Sequence, residues 1–320
     1  MSYDGAYRLS MNFSGPPDGC LYIDRNKLNQ ELLAVALKCG ARLIETSSIK
    51  SVKKDGPEFV VSIAEGEYIS PFLIDATGKA HIASSLAGDI SVNDCQLDSR
   101  QNMFAHFENF GGVSLECLTI ICEQFGFVYA IPLCESRFSL GWVSYKTKES
   151  QNNEEEFLDH VKNIPAIKSL LSKSKIKTKV ISAKNKITSV ISPVSNGVFI
   201  TGDALGFRDP FFYDGISFAL ASGTLAGICC ADEITGVMSH KIIATRYASG
   251  LEDIEDKLKA STKATIKHVR DSFSPSQLLD PHIPNVILAA LMGLTSNSVE
   301  HTEEIFRDYR RTISSVESRL

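Results

Sequence analysis

The chain has 320 residues, 43% of them hydrophobic and 22% charged, with a formal net charge of -5. So much apolar residue over this length supports a large buried core in one or two domains and excludes a disordered polypeptide. The acidic balance gives no reason to expect nucleic acid as a partner. The eight cysteines form no C-x-x-C, and no His/Cys grouping has zinc-ligand spacing, so no metal is expected. Cys117 and Cys122 read as two buried thiols, and with no signal peptide at Met1 the expected setting is the reducing cytoplasm.

In chain order, the first clear element is a helix over Asn26–Lys38. Leu28, Leu32 and Val35 share a face and Gly40 supplies a stop. Short strands follow at about Arg42–Ile44, Ile49–Lys53, Glu58–Ile63 and Tyr68–Asp75, with a turn at Asp55-Gly56-Pro57. From about Cys95 to Ser192 the pattern favours a mostly antiparallel sheet plus a helix over Glu154–Leu171. Phe104, Phe107 and Phe110 recur there at helix or turn spacing, and Trp142 lies on a strand. Lysines 168, 173, 175, 177, 179, 184 and 186 alternate with Ile176, Val180 and Ile187, the pattern of a solvated strand face. A helix rich in small residues is expected over Gly215–Ala231, then helices over Lys241–Arg270, Pro284–Leu294 and Val299–Ser315. The longest apolar stretch, Ile283–Leu294, is too short to span a bilayer, so no transmembrane segment is expected.

Three segments carry chemistry. The run Gly197–Gly223 reads GVFITGDALGFRDPFFYDGISFALASG. Val198–Thr201 suits a buried parallel strand, and Gly202 permits a sharp turn at its end. Asp203 then sits at a strand's carboxyl end, where α/β folds bind ligands, and its carboxylate can accept hydrogen bonds from sugar-like hydroxyls. Gly215 opens a helix whose free N–H groups and dipole suit a ligand that turns anionic. Upstream, PFLIDATG is a buried strand ending in Asp75-Ala76-Thr77-Gly78. Between them, GFVYAIPLCESRFSLGWV places Phe127, Tyr129 and Ile131 on one face of a strand, followed by Pro132 and a spaced Gly141. That face could wall a planar substrate pocket, or belong to the core of the sheet.

Together these segments resemble the FAD-dependent monooxygenase, flavin-dependent halogenase and geranylgeranyl reductase family, of p-hydroxybenzoate hydroxylase-like fold. The resemblance runs from about Leu21 to just past Ala231. It implies FAD as cofactor, with Gly202 and Asp203 at the ribityl chain and Pro210, Gly215 and Ile216 along the isoalloxazine ring. It also implies a place for Asp75 and Gly78 beside the FAD-binding sheet, and for Phe127, Tyr129, Ile131 and Pro132 in the substrate pocket. Halogenases carry two tryptophans where this chain has Phe127 and Tyr129. They also carry small hydroxyl residues, with halide nearby, where it has Asp214. A carboxylate a few ångströms from chloride costs about a kilocalorie per mole, so Asp214 leans toward the reductases.

The family opens with a βαβ unit carrying G-x-G-x-x-G, a motif that these 320 residues lack. The halogenases' catalytic lysine belongs to that segment, so no catalytic residue is assigned. Either Met1 is not the true start, or the chain is a fragment or a degenerate paralogue. The expected fold is mixed α/β. Its FAD-binding Rossmann-like domain is incomplete at the N-terminus (residues 1–94, returning at 193–235), with an antiparallel substrate-binding sheet (95–192) and a helical C-terminal region (236–320). The expected function is an FAD-dependent oxidoreductase, monooxygenase or halogenase-like. It would act on an aromatic or carrier-bound small molecule through a flavin C4a-hydroperoxide, and be served by a flavin reductase or carrier protein. An alkene reductase and a non-catalytic binding protein are the alternatives. His81 and His106 read as hydrogen-bonding residues rather than acid/base groups.

Overall fold

The computed structural model of the protein describes residues 7–11, 24–45, 48–83, 92–109, 118–123, 126–134, 136–144, 153–190, 192–206 and 215–271. In chain order these form β1 (Tyr7–Met11), α1 (Arg25–Lys38), β2 (Ser51–Asp55), β3 (Glu58–Ile63), β4 (Gly66–Ser70) and β5 (Leu73–Asp75). Then come β6 (Val92–Asn109), β7 (Leu118–Glu123), β8 (Gly126–Cys134), β9 (Arg137–Ser144), α2 (Asn153–Lys162) and α3 (Pro165–Leu171). The remainder is β10 (Ser174–Ile176), β11 (Ile181–Val190), β12 (Val194–Ser195), β13 (Val198–Ile200), α4 (Gly215–Ile234) and α5 (His240–Asp271). The chain divides into two compact units: Met1–Arg42, Leu97–Asn185 and Ile266–Leu320 form one, and Leu43–Gln96 with Lys186–Thr265 the other.

The first unit is built on an antiparallel sheet of order β1-β7-β8-β9-β6-β10, with β11 also pairing β6. Side chains alternate between its faces, so Met103, Ala105 and Phe107 of β6 point the same way as Phe138 and Leu140 of β9 and Val128 and Ala130 of β8. α2 and α3 close this face with Phe157, Val161, Ile167 and Leu170. The Phe107 and Phe138 rings stack at 5.5 Å. Phe104 and Phe107 therefore lie on a strand, on opposite faces, and not at helical spacing. Ala105, a small residue among large ones, hides the alternation from the sequence; Phe110 lies outside the described residues.

The helix expected over Glu154–Leu171 is two helices. Pro165 is the first residue of α3, and the residue before it, Ile164, takes an extended conformation (φ -85, ψ 115). Proline's ring disfavours a helical backbone at the preceding residue, which ends α2. α1 starts at Asp24, whose carboxylate accepts from the N–H groups of Asn26 and Lys27. Its expected apolar face is not buried: Val35 is 59% exposed. Lys168, Lys173, Lys175, Lys177 and Lys179 are all exposed, but they are spread over α3, β10 and the turns beside them rather than along one strand.

The second unit holds an antiparallel sheet β2-β3-β4 and a smaller sheet β12-β13-β5. Gly56 and Pro57 turn β2 into β3 as expected. The strand expected over Tyr68–Asp75 breaks at Pro71, which cannot donate to a ladder, and its halves, β4 and β5, join different sheets. Arg42–Ile44 forms no strand, and Leu43 is 50% exposed. Two apolar residues, Leu43 and Ile44, do not make a strand without a ladder partner. Asn196-Gly197, both at positive φ, make the two-residue β12–β13 hairpin turn.

Phe199, Ile243, Tyr247 and Leu251 form a core with Ala226, Cys229 and Cys230 of α4. The Tyr247 hydroxyl donates to the carbonyl of Ile200 at 2.5 Å. α4 is long and apolar enough to cross a membrane by length and composition, and Phe218, Ser222, Ala226, Cys229 and Cys230 on it are buried. Cys117 and the helices expected at Pro284–Leu294 and Val299–Ser315 lie outside the described residues, as does the side chain of Cys122.

Candidate functional site

β13 is a run of three fully buried apolar residues pairing in parallel with β5, Ile200 opposite Asp75. Parallel pairing brings the carboxyl ends of both strands to the same side. Each then opens into a single 3-10 turn, Gly78–Ala80 after β5 and Gly202–Ala204 after β13. The turns lie against each other, and a Cβ on Gly78 would stand 3.8 Å from that of Asp203. Two motifs 127 positions apart, reading from Asp75 to Gly202, are thereby joined in one unit.

The two aspartates differ in state. Asp75 is 3% exposed. One carboxylate oxygen accepts from the Thr77 N–H at 2.8 Å and the Thr77 hydroxyl at 2.6 Å, and the other from the Ala83 N–H at 2.8 Å. Its lone pairs hold the turn in shape, so its role is to organise the D-A-T-G loop. Asp203 is exposed and presents its carboxylate outward. Gly202 adopts φ +57, a left-handed conformation that favours glycine, and a Cβ there would meet that of Ala219 at 3.3 Å. Its N–H donates to the Ser222 hydroxyl at 3.0 Å, which donates to the Phe218 carbonyl at 2.7 Å. Asp203 is thus fixed to α4 through its neighbour.

Gly215 stands at the first position of α4, one turn before Ala219, and among the described residues nothing lies within 4 Å of where a Cβ would be. Ile216 beside it is half-buried. Pro210 and Asp214 lie outside the described residues. Lys79, which follows the D-A-T-G motif directly, was not singled out from the sequence. Partial burial holds its amine below the usual lysine range, opposed by the nearby Asp203 carboxylate.

The aromatic strand lies in the first unit. Phe127 and Tyr129 of β8 are buried with their rings 6.3 Å apart, while Ile131 and Pro132 are half-buried. Phe127, Tyr129 and Ile131 share the sheet face turned away from α2 and α3. Asn102, Phe104 and His106 of β6 share it too, with Ser139, Gly141 and Val143 of β9 between them. Tyr129 pairs with Gly141, where a Cβ would fall 2.1 Å from the tyrosine Cζ. The absent side chain is what lets the Tyr129 ring lie across β9. Its hydroxyl shares a hydrogen bond with the Asn102 side chain, and burial pushes the phenol well above the usual tyrosine range. His106, beside Phe104, is held below the usual histidine range by partial burial. The nearby Asp24 opposes that shift and Arg137 adds to it.

Among the described residues no group of His, Cys, Asp and Glu could hold a metal ion. The sequence missed Asn102 because a lone polar residue inside a strand carries no motif; its register opposite Val143 is visible only in the ladder.

No family model matches the chain. The flavin-dependent halogenase ascD of Acremonium egyptiacum is 24% identical over 161 residues, 48% of this chain and 29% of that protein. The chain therefore spans under a third of that relative's length. A Cytophaga hutchinsonii flavoprotein/dehydrogenase superposes with TM-score 0.68 at 17% identity, covering 96% of this chain and 78% of that one. The flavin-dependent halogenase CmlS gives 0.66 at 16% identity over 96% of this chain and 59% of its own. The myxobacterial chondrochloren halogenase CndH gives 0.66 at 19% identity over 78% and 62%. At these identities the likeness is one of architecture: the chain has the fold of flavin-dependent halogenases and related flavoproteins.

Proposed function

We propose that the protein is an FAD-dependent oxidoreductase, monooxygenase or halogenase-like, acting on an aromatic or carrier-bound small molecule. The observation that carries this reading is the convergence of the D-A-T-G and Gly-Asp turns at the carboxyl ends of β5 and β13, with Asp203 exposed between them. Those residues fit the ribityl and ring portions of FAD. Asp203 offers an exposed carboxylate to hydroxyls, and among the described residues nothing stands against Gly215 at the helix N-terminus, where a ligand would lie. A glycine-rich loop for the pyrophosphate is absent from these 320 residues.

Bound and reduced, FAD supplies the electrons for oxygen or alkene chemistry. The chain's own part is to hold the cofactor's hydroxyls at Asp203, to keep that carboxylate oriented through Gly202 and Ser222, and to offer the half-buried Phe104 and Ile131, beside the buried Phe127–Tyr129 pair, to a planar substrate. The polar pair of Tyr129 and Asn102 on that face favours an aromatic substrate over the long apolar one of an alkene reductase. We place the protein in the cytoplasm, and a flavin reductase as electron donor fits the scheme.

The test is retention of flavin. Incubated with excess FAD and desalted, the wild type is expected to keep a visible flavin band. Asp203→Ala is expected to weaken FAD binding about tenfold or more, the loss of charged hydrogen bonds, with an unchanged melting temperature. A colourless wild-type protein overturns the reading and favours a non-catalytic binding role.

A further inference from the structure

Asp203 does not stand alone where the two turns meet. Lys79 is the middle residue of the Gly78–Ala80 turn, which packs on the Gly202–Ala204 turn, and both side chains are exposed. Gly78, whose Cβ would stand 3.8 Å from that of Asp203, sets Lys79 down beside the carboxylate. Partial burial holds the Lys79 amine below the usual lysine range, and the Asp203 charge opposes that shift without cancelling it. An ammonium that has lost part of its water, and is only partly compensated by one carboxylate, is stabilised further by a second anion.

A structural ion pair does not account for this placement. An exposed lysine–aspartate pair contributes little to stability, because water screens the charges and the long side chain loses freedom. Neither turn depends on the pair: Asp75 holds the D-A-T-G loop, and Ser222 holds the turn at Gly202. Other described cations of this unit are engaged elsewhere. Lys54 donates to the Asn196 carbonyl, and Arg246 donates to Asp232.

The order of groups along this surface gives the ligand its shape. The Gly202 turn packs on α4, the helix that Gly215 opens, and the Gly78 turn packs on the Gly202 turn. Reading outward from α4, a helix N-terminus is followed by a carboxylate and then by an ammonium. A matching ligand has a group that gains negative charge, then hydroxyls that donate, then an anion that accepts. A flavin nucleotide has that order in its ring, its ribityl chain and its first phosphate. Without Lys79 the phosphate would follow directly on the Asp203 carboxylate, and like charges at close range repel.

We propose that Lys79 binds the phosphate attached to the ribityl chain of the flavin through its ammonium group, while Asp203 takes the hydroxyls beside it. The assignment rests on the reading of this unit as a flavin site. It adds the residue that recognises the phosphate and so selects a flavin nucleotide over riboflavin.

The test compares FMN with riboflavin, the same ring and ribityl chain with and without the phosphate, by quenching of flavin fluorescence on titration with the protein. The wild type is expected to bind FMN about tenfold more tightly, the worth of one charge-assisted hydrogen bond. That preference is expected to shrink between about 0.05 M and about 0.5 M salt as the charges are screened. Lys79→Met, similar in length and uncharged, is expected to lose the preference with riboflavin affinity unchanged, and Lys79→Arg is expected to keep it. Lys79→Gln serves if Lys79→Met does not fold. Equal wild-type affinity for both flavins, a preference that survives loss of the ammonium, or equal losses for both flavins overturns the proposal and leaves the cofactor reading standing. Binding of neither flavin overturns the cofactor reading and this proposal with it.

Discussion

The large antiparallel sheet and the small parallel pair solve the same problem by different means. Each must hold particular side chains in one place. On the large sheet, position is set by register. Phe104, Gly141 and Tyr129 align because three strands pair at one level, and the geometry is shared over long ladders. At the parallel pair, position is set by turns. β5 and β13 are three residues each, and Asp203 owes its place to the turn that Gly202 opens and to one hydroxyl of α4. The comparison teaches that the ladder tolerates loss of a single hydrogen bond, whereas the turn depends on a few. The large sheet depends instead on the helices packed against it.

The largest effect is expected from removing that cover. Phe157, fully buried on α2 against the large sheet, changed to alanine leaves a cavity and should cost about 3–5 kcal/mol in urea unfolding. A cost under 1 kcal/mol would show that α2 is not what closes the sheet. Next is the turn itself. Asp75→Ala strips the acceptor from three donors and should cost about 3 kcal/mol, near 1 per hydrogen bond. Asp203→Ala, on an exposed carboxylate at the end of the neighbouring strand, should leave the unfolding midpoint within error. Equal costs for the two aspartates would break the distinction between a structural and an exposed carboxylate.

The smallest effect concerns pH. His106 has its folded pKa below the ordinary histidine value of 6.5 through partial burial. The unfolded chain therefore binds the proton first, and His106's contribution to stability is present above about pH 6.5 and lost as pH falls below it. The unfolding midpoint of the wild type should drop more between pH 7.5 and 5.5 than that of His106→Asn. Identical slopes would mean the ring is as well hydrated folded as unfolded.

Much of this arrangement was legible in the chain. Gly-Asp marked a strand end because a β-branched run followed by glycine has few other uses, and D-A-T-G also ends a strand; but that strand, β5, is not the buried one expected, since Ile74 is 41% exposed. The alternation in GFVYAIP put Phe127, Tyr129 and Ile131 on one face, as the ladder has them. What was misread shares a cause: proline at 71 and 165 interrupts a run whose flanks look continuous in hydrophobicity, and Ala105 masks a strand between two phenylalanines. Leu43 and Ile44 are apolar enough for a strand but find no ladder among the described residues.

The sequence alone determined local conformation and motif order, since glycine, proline and alternation act through bonds and near neighbours. Only the tertiary structure decided which aspartate is spent and which is offered. That depends on the N–H groups of Thr77 and Ala83, which the fold curls around Asp75 and not around Asp203. It likewise decided that Gly141 makes room for Tyr129 and that Asn102 lies beyond it. Contacts between residues 12 and 27 positions apart follow from strand pairing, a long-range choice governed by burial of whole faces rather than by any single residue.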